Sequence, residues 1–370
     1  MRKSRPHASN HSLQAQRAAA ACLRRLGEPA LNARCQSASP LEAMRAIADR
    51  LEQEAPDGNH AWVVRAAGRA TDSSLQPGNV SAWPLWFGDQ RAGSERPLLY
   101  MAHSGSLAGL HAALSESKGH GIFCNHMEAL RSRWPRGMHP SVPLWLSSDA
   151  DGTPYDPASG AEALAIFRSA LQALYLDGRP GFFYLSAHGD DSDDTPALTD
   201  SNVKSAFKGM YRISRVRGVP AASIRLLGAG NALQHVRHAA ALLRNDWGIG
   251  CEVWSCPSYT RLARDGREAD RWNMLHPLSK KRTSHLQSCL SSSRAPVVAV
   301  TGYARHVASQ IGAMVPSAFT ALGADSHPQQ SQLSPQWIAA VALKLLGDAG
   351  DISKRLAGEA LERYALTALS

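Results

Sequence analysis

The 370-residue sequence lacks any run of about 20 apolar residues, the length that a helix needs to cross a bilayer. It also lacks the N-terminal apolar core of a secretory signal peptide. Its six cysteines form no C-x-x-C pair, and free thiols without a secretory signal are typical of a reducing compartment. We therefore expect a globular protein of the cytoplasm with no membrane segment.

Motifs of several enzyme and metal-site classes are also missing. There is no P-loop and no G-x-S-x-G nucleophile elbow. The acidic run at 190–194 lacks the spacing of a calcium loop, and a solvated linker is favoured. His235 and His238 are three apart on a predicted helix, but no third ligand is visible, so surface histidines are favoured. The sequence predicts no metal site.

The basic charge is concentrated at the N-terminus. The formal net charge is +9, but residues 1–40 hold seven Lys or Arg against one Glu, which leaves only +3 for the rest of the chain. A nearly balanced body does not indicate a nucleic-acid partner. Segment 1–40 is rich in Arg, Ser and Ala, which is typical both of a disordered basic tail and of an organelle transit peptide.

The clearest pattern in the chain predicts a βαβ unit. An apolar run at 223–227 ends in Gly228-Ala229-Gly230, apolar residues then recur at helical spacing from Leu233 to Leu243, and a second strand runs over 251–256. Such a unit implies a parallel sheet. The glycine pair is compatible with a dinucleotide fingerprint, but Leu233 occupies the third glycine position, so a tight strand-to-helix turn is favoured.

The region before this unit shows a weaker pattern. Helical spacing is visible over 41–55, 107–114 and 161–175, and a strand is predicted at 182–185. Between residues 119 and 155 four prolines interrupt the pattern, and we expect loops there. Cys251 and Cys256 bracket the second strand of the βαβ unit, and we expect them to be buried thiols without a catalytic role.

Seven runs of the C-terminal half resemble a known family. The runs lie at 226–230, 242–248, 253–259, 262–266, 271–277, 295–301 and 322–325. They resemble the C-terminal domain of the homodimeric, bacterial-type first component of the pyruvate dehydrogenase complex, within the thiamine-diphosphate-dependent transketolase superfamily.

The resemblance implies an α/β fold in three parts. A doubly wound, transketolase C-terminal-like domain would span 206–370. A reduced, pyrimidine-domain-like α/β region would span 41–205, and the basic, disordered tail would span 1–40. The match is close over 206–370 and faint over 41–205.

The resemblance also implies a cofactor, thiamine diphosphate with Mg²⁺, and motifs to hold it. The family anchors the diphosphate and the metal through a G-D-G motif, and no G-D-G occurs in these 370 residues. The family also places a glutamate against the aminopyrimidine ring, where it drives proton transfer. The nearest segment here, 75–82, has no carboxylate.

A residual site is implied by two further segments. Residues 125–130 resemble the family's N-G-E-G-L, which assigns Glu128 to a residual site. The family's following D-G-H-S-H loop corresponds to 136–140, where His139 stands in for one of its two histidines. The implied catalytic residues are therefore His139 and Glu128.

Two functions follow from the resemblance and from the family motifs that this sequence lacks. The first is a decarboxylating-component-like protein, active on 2-oxo acids only with a partner chain that supplies the diphosphate-binding domain. The second is a non-catalytic paralogue that serves as a dimerisation or docking module, because functional residues rather than the fold decide activity. The expected partner is a second copy of the chain or a chain supplying the N-terminal domain.

Overall fold

The computed structural model describes residues 13–53, 60–65, 96–126, 134–189, 198–216, 218, 222–326 and 333–366. The chain divides into two compact units. Unit 1 comprises 1–131, 137–155 and 159–192, and unit 2 comprises 132–136, 156–158 and 193–370. No helix in the described ranges has both the length and the apolar character required to cross a membrane.

Unit 1 is built on a parallel sheet. In its described part the strands β1 to β5 lie in the order β1-β2-β3-β5-β4, and all four strand pairs are parallel. The strands are β1 Trp62–Arg65, β2 Leu98–Ala102, β3 Gly121–His126, β4 Gly152–Tyr155 and β5 Phe182–Ala187. The helices are α1 Leu13–Leu26, α2 Pro29–Gln36, α3 Pro40–Glu52, α4 Leu107–Glu116, α5 Ser141–Ser148 and α6 Gly160–Leu171.

Residues 13–40, which we expected to belong to a disordered tail, are largely helical. Helix α1 buries Ala15, Ala19, Cys22 and Leu26, none of which is measurably exposed. These positions recur at intervals of three or four, so they form one apolar stripe along the helix. The Arg-rich composition of the segment does not reveal this stripe. The expectation of disorder is wrong for this segment. Residues 1–12 lie outside the described part of the chain.

The expectation of loops over 119–155 is also wrong, because this segment contains β3, α5 and β4. Its prolines are at positions that tolerate them. Pro140 precedes the first residue of α5, and Pro143 lies in the first helical turn, where a backbone N–H has no helical partner. Pro154 lies in β4, an edge strand of the sheet, which is where strands tolerate proline.

Unit 2 contains a second sheet of mixed direction. Its described strands lie in the order β10-β9-β7-β8-β6, and only β6 is antiparallel. The strands are β6 Tyr211–Ser214, β7 Ser223–Gly228, β8 Gly250–Ser255, β9 Val297–Val300 and β10 Phe319–Leu322. The helices are α7 Asp200–Lys208, α8 Ala232–Trp247, α9 Tyr259–Leu275, α10 His285–Leu290, α11 His306–Ser309, α12 Pro335–Ala349 and α13 Arg355–Arg363.

Helices cover both faces of the unit 2 sheet. Leu226 of β7 belongs to a core with residues of α8, α12 and α13, whereas its neighbour Leu227 belongs to a core with residues of α9 and α10. Alternate residues of a strand point to opposite faces, so an unbroken apolar strand requires a helical layer on each side. The predicted βαβ unit is confirmed as β7, α8 and β8.

The N-termini of α12 and α8 begin in different ways. Ser334 caps α12 by accepting a hydrogen bond from the Trp337 N–H, and Pro335 occupies the first helical position. Asn231 stands at the N-cap of α8 but makes no capping hydrogen bond through its side chain. Here the turn after β7, and not a cap, determines where the helix begins.

The first prediction tests whether α1 belongs to the core of unit 1. Leu26→Ala should lower the free energy of unfolding by about 2–5 kcal/mol, because a buried leucine leaves a cavity. Leu13→Ala on the same helix is the matched control, since Leu13 is 72% exposed. Chemical denaturation of the two variants gives the comparison. Equal losses of stability would contradict the packing of α1 against the core.

Candidate functional site

The carboxyl edge of the unit 1 sheet gathers polar side chains. His103 directly follows β2, Asn125 and His126 end β3, and His188 directly follows β5. The strand register places Ala102 beside Asn125 and His126 beside Ala187, so these strand ends are level. Ligands of parallel α/β sheets bind beyond the carboxyl ends of the strands. This edge is therefore the candidate site of unit 1.

Asn125 holds the loop that follows β2. It is 2% exposed, and its carboxamide oxygen accepts a hydrogen bond from the Ser104 N–H at 3.1 Å. Its amide nitrogen donates to the Ser104 carbonyl at 2.8 Å and to the Tyr184 hydroxyl at 2.7 Å. A buried amide with three hydrogen bonds is held in one orientation. The backbone around His103 is thereby fixed.

His139, a site residue implied by the resemblance, lies beside the same loop. Its backbone N–H donates to the Gly105 carbonyl at 2.9 Å. The Ser141 N–H donates to His139 Nδ1 at 3.2 Å, and the Ser141 hydroxyl lies 2.8 Å from that nitrogen. Since Nδ1 accepts, the neutral ring carries its proton on Nε2. The exposed His139 ring is thus a hydrogen-bond donor at Nε2.

His103 and His126 form an imidazole pair at the sheet edge. Their ring centroids are 5.5 Å apart, and both residues are half-buried. Burial lowers the pKa of His126, and the nearby His103 and Arg45 lower it further. His126 is therefore neutral at neutral pH. A neutral imidazole both donates and accepts protons, so the pair is suited to bind a polar ligand or to transfer a proton.

Two parts of the predicted site lie outside the described residues. Glu128 follows β3 within 127–133, and the segment corresponding to the family's glutamate, 75–82, lies within 66–95. His103 and His126, by contrast, were missed by sequence reasoning. Each stands where an apolar run ends, which is a sequence signal for the carboxyl end of a strand. The sequence nevertheless predicts a loop over β3.

The described residues do not fit a thiamine diphosphate anchor. Mg²⁺ prefers oxygen ligands such as carboxylates. Across the described ranges, no group of three or more His, Cys, Asp and Glu side chains is placed to hold a metal ion. The sheet edge offers imidazole and amide groups instead. The metal and diphosphate end of the cofactor is therefore not formed by this part of the chain.

Unit 2 has its own crevice, and an ion pair fills it. The chain passes from β7 to β8 on one side and returns to β9 on the other, so the carboxyl ends of β7 and β9 border a topological switch point. Arg136 Nη1 lies 2.7 and 2.8 Å from the two carboxylate oxygens of Asp156. The Arg136 guanidinium also lies over the ring of Tyr303, 5.0 Å from its centroid.

Glycines make room for this ion pair. A Cβ added at Gly230 would lie 2.3 Å from Asp156 Oδ1, and Gly230 has φ +52°. A Cβ added at Gly302 would lie 3.0 Å from Arg136 Cδ. The Gly230 N–H donates to the Asp156 carbonyl at 2.9 Å. Since a buried carboxylate occupies the turn where a dinucleotide phosphate would lie, the structure favours the tight-turn interpretation of Gly228 and Gly230.

The two cysteines of β8 and its flank lie in surroundings that suppress reactivity. Cys256 is buried and Cys251 is partly buried. Burial raises the pKa of Cys251 to about 12, so its thiol stays protonated at neutral pH. A protonated thiol is a poor nucleophile, which agrees with the expected structural role.

Comparison with protein families supports the description of unit 2. The family model of the transketolase-like TK C-terminal domain matches residues 209–329. Residues 209–329 are thus similar to that domain, and we call them the transketolase-like C-terminal domain. The expected α/β fold and the resemblance on which it rested are confirmed. This domain contains the switch-point crevice and its glycines.

Curated relatives of this chain include pyruvate dehydrogenase E1 components. The E1 component of Pseudomonas aeruginosa is 34% identical over 222 residues, which is 57% of this chain and 25% of the relative. That of Cupriavidus necator is 32% identical over 240 residues, covering 62% and 26%. That of Escherichia coli K12 is 30% identical over 224 residues, covering 58% and 25%. The chain thus spans about a quarter of these curated relatives.

Solved structures of transketolases share the fold of the chain. The Leishmania mexicana transketolase has a TM-score of 0.51 at 15% identity, over 94% of this chain and 50% of that one. The Campylobacter jejuni enzyme has a TM-score of 0.51 at 12% identity, over 93% and 50%. The inactive β4 tetramer of a split gene transketolase has a TM-score of 0.50 at 14% identity, over 84% and 98%.

The second prediction concerns the ion pair beside the transketolase-like C-terminal domain's sheet. The side chains of Arg136 and Asp156 are 8% and 9% exposed. Arg136→Met should cost about 3–5 kcal/mol of stability, because it leaves a buried carboxylate without its charged partner. Lys344→Met is the control, since its pair with Asp348 is exposed and solvent screening leaves it with little effect on stability.

A double-mutant cycle separates the pair from its packing. Arg136→Met combined with Asp156→Asn should lose clearly less than the sum of the two single losses, because no buried charge remains. Urea denaturation of the four proteins measures the coupling. Additive losses, or an Arg136→Met loss no larger than the Lys344→Met loss, would contradict the description of Arg136–Asp156 as a buried ion pair.

The third prediction is the pH behaviour of His126. Its pKa should lie below the ordinary value of 6.5, so the unfolded chain binds this proton first as pH falls. His126 therefore costs stability as pH drops below about 6.5, and that cost disappears above it. NMR titration of the imidazole should show the low value. In Arg45→Gln the pKa should rise only part of the way to 6.5, since burial is the larger cause.

Lys118→Gln provides the control for this titration, because Lys118 does not contribute to the shift at His126. It should leave the His126 titration unchanged. A His126 pKa at or above its ordinary value would show that the ring is not buried at the sheet edge. An unchanged pKa in Arg45→Gln would remove Arg45 from the electrostatics of the site.

Proposed function

We propose that this chain supplies the pyrimidine-side part of a thiamine-diphosphate-dependent site that decarboxylates 2-oxo acids, and that another segment or chain supplies the metal and diphosphate anchor. The observation that carries the proposal is the 30–34% identity to pyruvate dehydrogenase E1 components over more than half of the chain. When bound, thiamine diphosphate supplies the electron sink that loss of CO₂ from a 2-oxo acid requires.

Three observations support the proposal that another segment or chain supplies the metal and diphosphate anchor. Within these 370 residues there is no G-D-G motif, and the described residues offer no carboxylate cluster for Mg²⁺. The split gene transketolase matches this chain over 98% of its own length and is described as an inactive β4 tetramer. A chain of this extent is thus known from a divided gene. The same arrangement would make the present chain inactive alone.

In this proposal the histidines of the unit 1 edge act on the substrate side. His139 donates a hydrogen bond from Nε2, while Ser141 holds its Nδ1. His126 provides a neutral imidazole that can accept or donate a proton, and the centroid of the His103 ring lies 5.5 Å from its own. Glu128 would add the carboxylate that the resemblance places near the same edge.

Calorimetry provides the first test of this function. The purified chain is titrated with thiamine diphosphate and Mg²⁺, alone and with a co-expressed chain that carries a G-D-G domain. We expect no heat for the chain alone and micromolar binding, about −8 kcal/mol, for the pair. CO₂ release from pyruvate should then appear only with both chains. The absence of binding and of CO₂ release from the pair would overturn the proposal.

The fourth prediction addresses His139 in the two-chain assay. His139→Ala should lower kcat roughly 100-fold, which is typical of a lost proton-transfer or hydrogen-bonding group. Ser141→Ala should give a smaller loss, because it only releases the orientation of the ring. His238→Ala removes an exposed histidine of α8 and is the control. Equal activity of the His139→Ala and His238→Ala variants would exclude His139 from the site.

The alternative function is a non-catalytic dimerisation or docking module. It is favoured by one observation, the lack of a carboxylate in the segment 75–82 that corresponds to the family's glutamate. Full activity of the two-chain assay after His139→Ala and Glu128→Gln together would leave this chain without a chemical role. The module interpretation would then replace the catalytic one.

A further inference from the structure

The turn between α7 and β6 lies against the beginnings of two other helices of unit 2. The Ser258 N–H, at the N-cap of α9, donates to the Gly209 carbonyl at 3.4 Å. His285 Nε2, in the first turn of α10, donates to the Met210 carbonyl at 2.9 Å. A Cβ added at Gly209 would lie 2.8 Å from the Ser258 carbonyl oxygen, so α7 and α9 approach closely. Side chains of α7, β6, α9 and α10 therefore share one region.

Two buried hydrogen-bond donors of this region have no acceptor among the described residues. Trp254 is 4% exposed, shares a core with Met210, and its Nε1 makes no hydrogen bond. Nη1 of Arg261 is also buried and makes no hydrogen bond. Buried polar groups are nearly always satisfied, so each exception requires a physical explanation. The common explanation for this pair is a shortage of acceptors where the four elements meet.

Aromatic rings hold two guanidinium groups of the region in place. The Arg261 guanidinium lies 4.5 Å from the centroid of the Phe207 ring, and that of Arg212 lies 5.4 Å from the centroid of the Trp254 ring. An aromatic face attracts the cation and leaves its N–H groups free to meet an acceptor. Groups that are ordered before binding lose less conformational entropy on association.

The electrostatics of His285 show that basic side chains converge on it. Burial lowers the pKa of His285, and the nearby Lys208 and Arg261 lower it further, against the opposing effects of the Met210 carbonyl and of Asp265. Since the ring is neutral at neutral pH, it does not repel the two cations. A bound anion would favour its protonated form.

The thiol of Cys289 reports on the same cations. Its Sγ lies 3.7 Å from His285 Nε2. Burial raises the pKa of Cys289 to about 11, and the positive charges of Arg212 and Lys208 oppose this rise. Lys208 thus acts on both His285 and Cys289, so the basic side chains of α7, β6 and α9 surround one location.

Two carboxylates reach this location in the described part of the chain, and both have partners. Asp265 Oδ2 accepts a hydrogen bond from the His285 backbone N–H at 2.6 Å. Glu252 Oε2 lies 3.0 Å from Arg225 Nε, and its Oε1 lies 3.5 Å from Arg212 Nη1. Because the Arg225 side chain is fully buried, Glu252 balances a charge that water does not reach. Neither carboxylate therefore supplies the missing acceptors.

We propose that this location binds a phosphate-type dianion, either free phosphate or the phosphoryl group of a small molecule. We call its basic residues the cation cluster: Lys208, Arg212, Arg261 and His285. Guanidinium groups bind such oxyanions through paired N–H bonds, and a lysine adds a point charge. The dianion supplies acceptors and balances the positive charge. This inference concerns unit 2 alone and does not rest on the proposed catalytic function.

Calorimetric titration of the full chain with inorganic phosphate and with glycerol phosphate tests the site. We expect dissociation constants of about 1 mM or lower. Equal affinity for the two compounds would assign free phosphate, whereas tighter binding of the ester would assign a small phosphorylated molecule, and either result supports the site. Absence of binding to both compounds would overturn the proposal.

Substitutions identify the residues that bind the anion. Arg261→Met should weaken phosphate binding roughly tenfold or more, because methionine keeps the apolar contact with Phe207 but removes the charge and the donors. Lys208→Met, at an exposed position, should weaken it about threefold and provides a second variant with little effect on folding. Circular dichroism should match the parent for both variants.

Arg267→Met is the matched control for net charge. Arg267 is exposed on the same helix as Arg261 and is not among the charges that act on His285. Its replacement should leave the dissociation constant unchanged. Equal weakening by Arg261→Met and Arg267→Met would show that net charge, and not the cation cluster, governs binding.

NMR titration of histidines locates the bound anion. Sulfate, which stays a dianion while a histidine titrates, should raise the pKa of His285, because a nearby anion stabilises the protonated ring. Sulfate should therefore bind more tightly as pH falls through that pKa. The signals of His238, on the opposite helical layer of unit 2, should not respond to sulfate. A His285 pKa that stays unchanged at saturating sulfate would overturn the proposal.

Discussion

The direction of the strands in the two sheets determines where each polar group of this protein lies. In the described part of unit 1 the strand pairs are all parallel, so the residue that follows one strand lies beside the residue that follows the next. His103, Asn125, His126 and His188 meet at one edge for this reason alone. In unit 2 the same constraint places the turn after β7 beside the turn after β9.

The carboxyl edges of the two sheets nevertheless have different roles. At the unit 1 edge the imidazoles of His103 and His126 are partly exposed. Asn125 holds the loop that carries His103 through its hydrogen bonds. In unit 2 the crevice is closed by Arg136 and Asp156, whose charges satisfy each other in a space that Gly230 and Gly302 leave open. A ligand-binding chemistry is therefore available at the first edge, while the second contributes to stability.

The comparisons and the geometry bear on different parts of the chain. Residues 209–329 match the model of the transketolase-like TK C-terminal domain, and similarity to a pyruvate dehydrogenase E1 component extends over 222 residues. The imidazole edge belongs to unit 1, where the likeness to transketolases is one of fold.

The sequence by itself determined the βαβ unit of β7, α8 and β8, because apolar spacing and the flanking glycines are local signals. It also determined the family resemblance of 206–370. It misjudged α1, whose buried alanine stripe is weakly apolar, and β3 to β4, whose prolines occupy first-turn and edge positions that only the fold defines. Only tertiary structure paired His103 with His126, and Arg136 with Asp156, because each pair joins residues about 20 apart in sequence whose contact depends on the neighbours and direction of the strands.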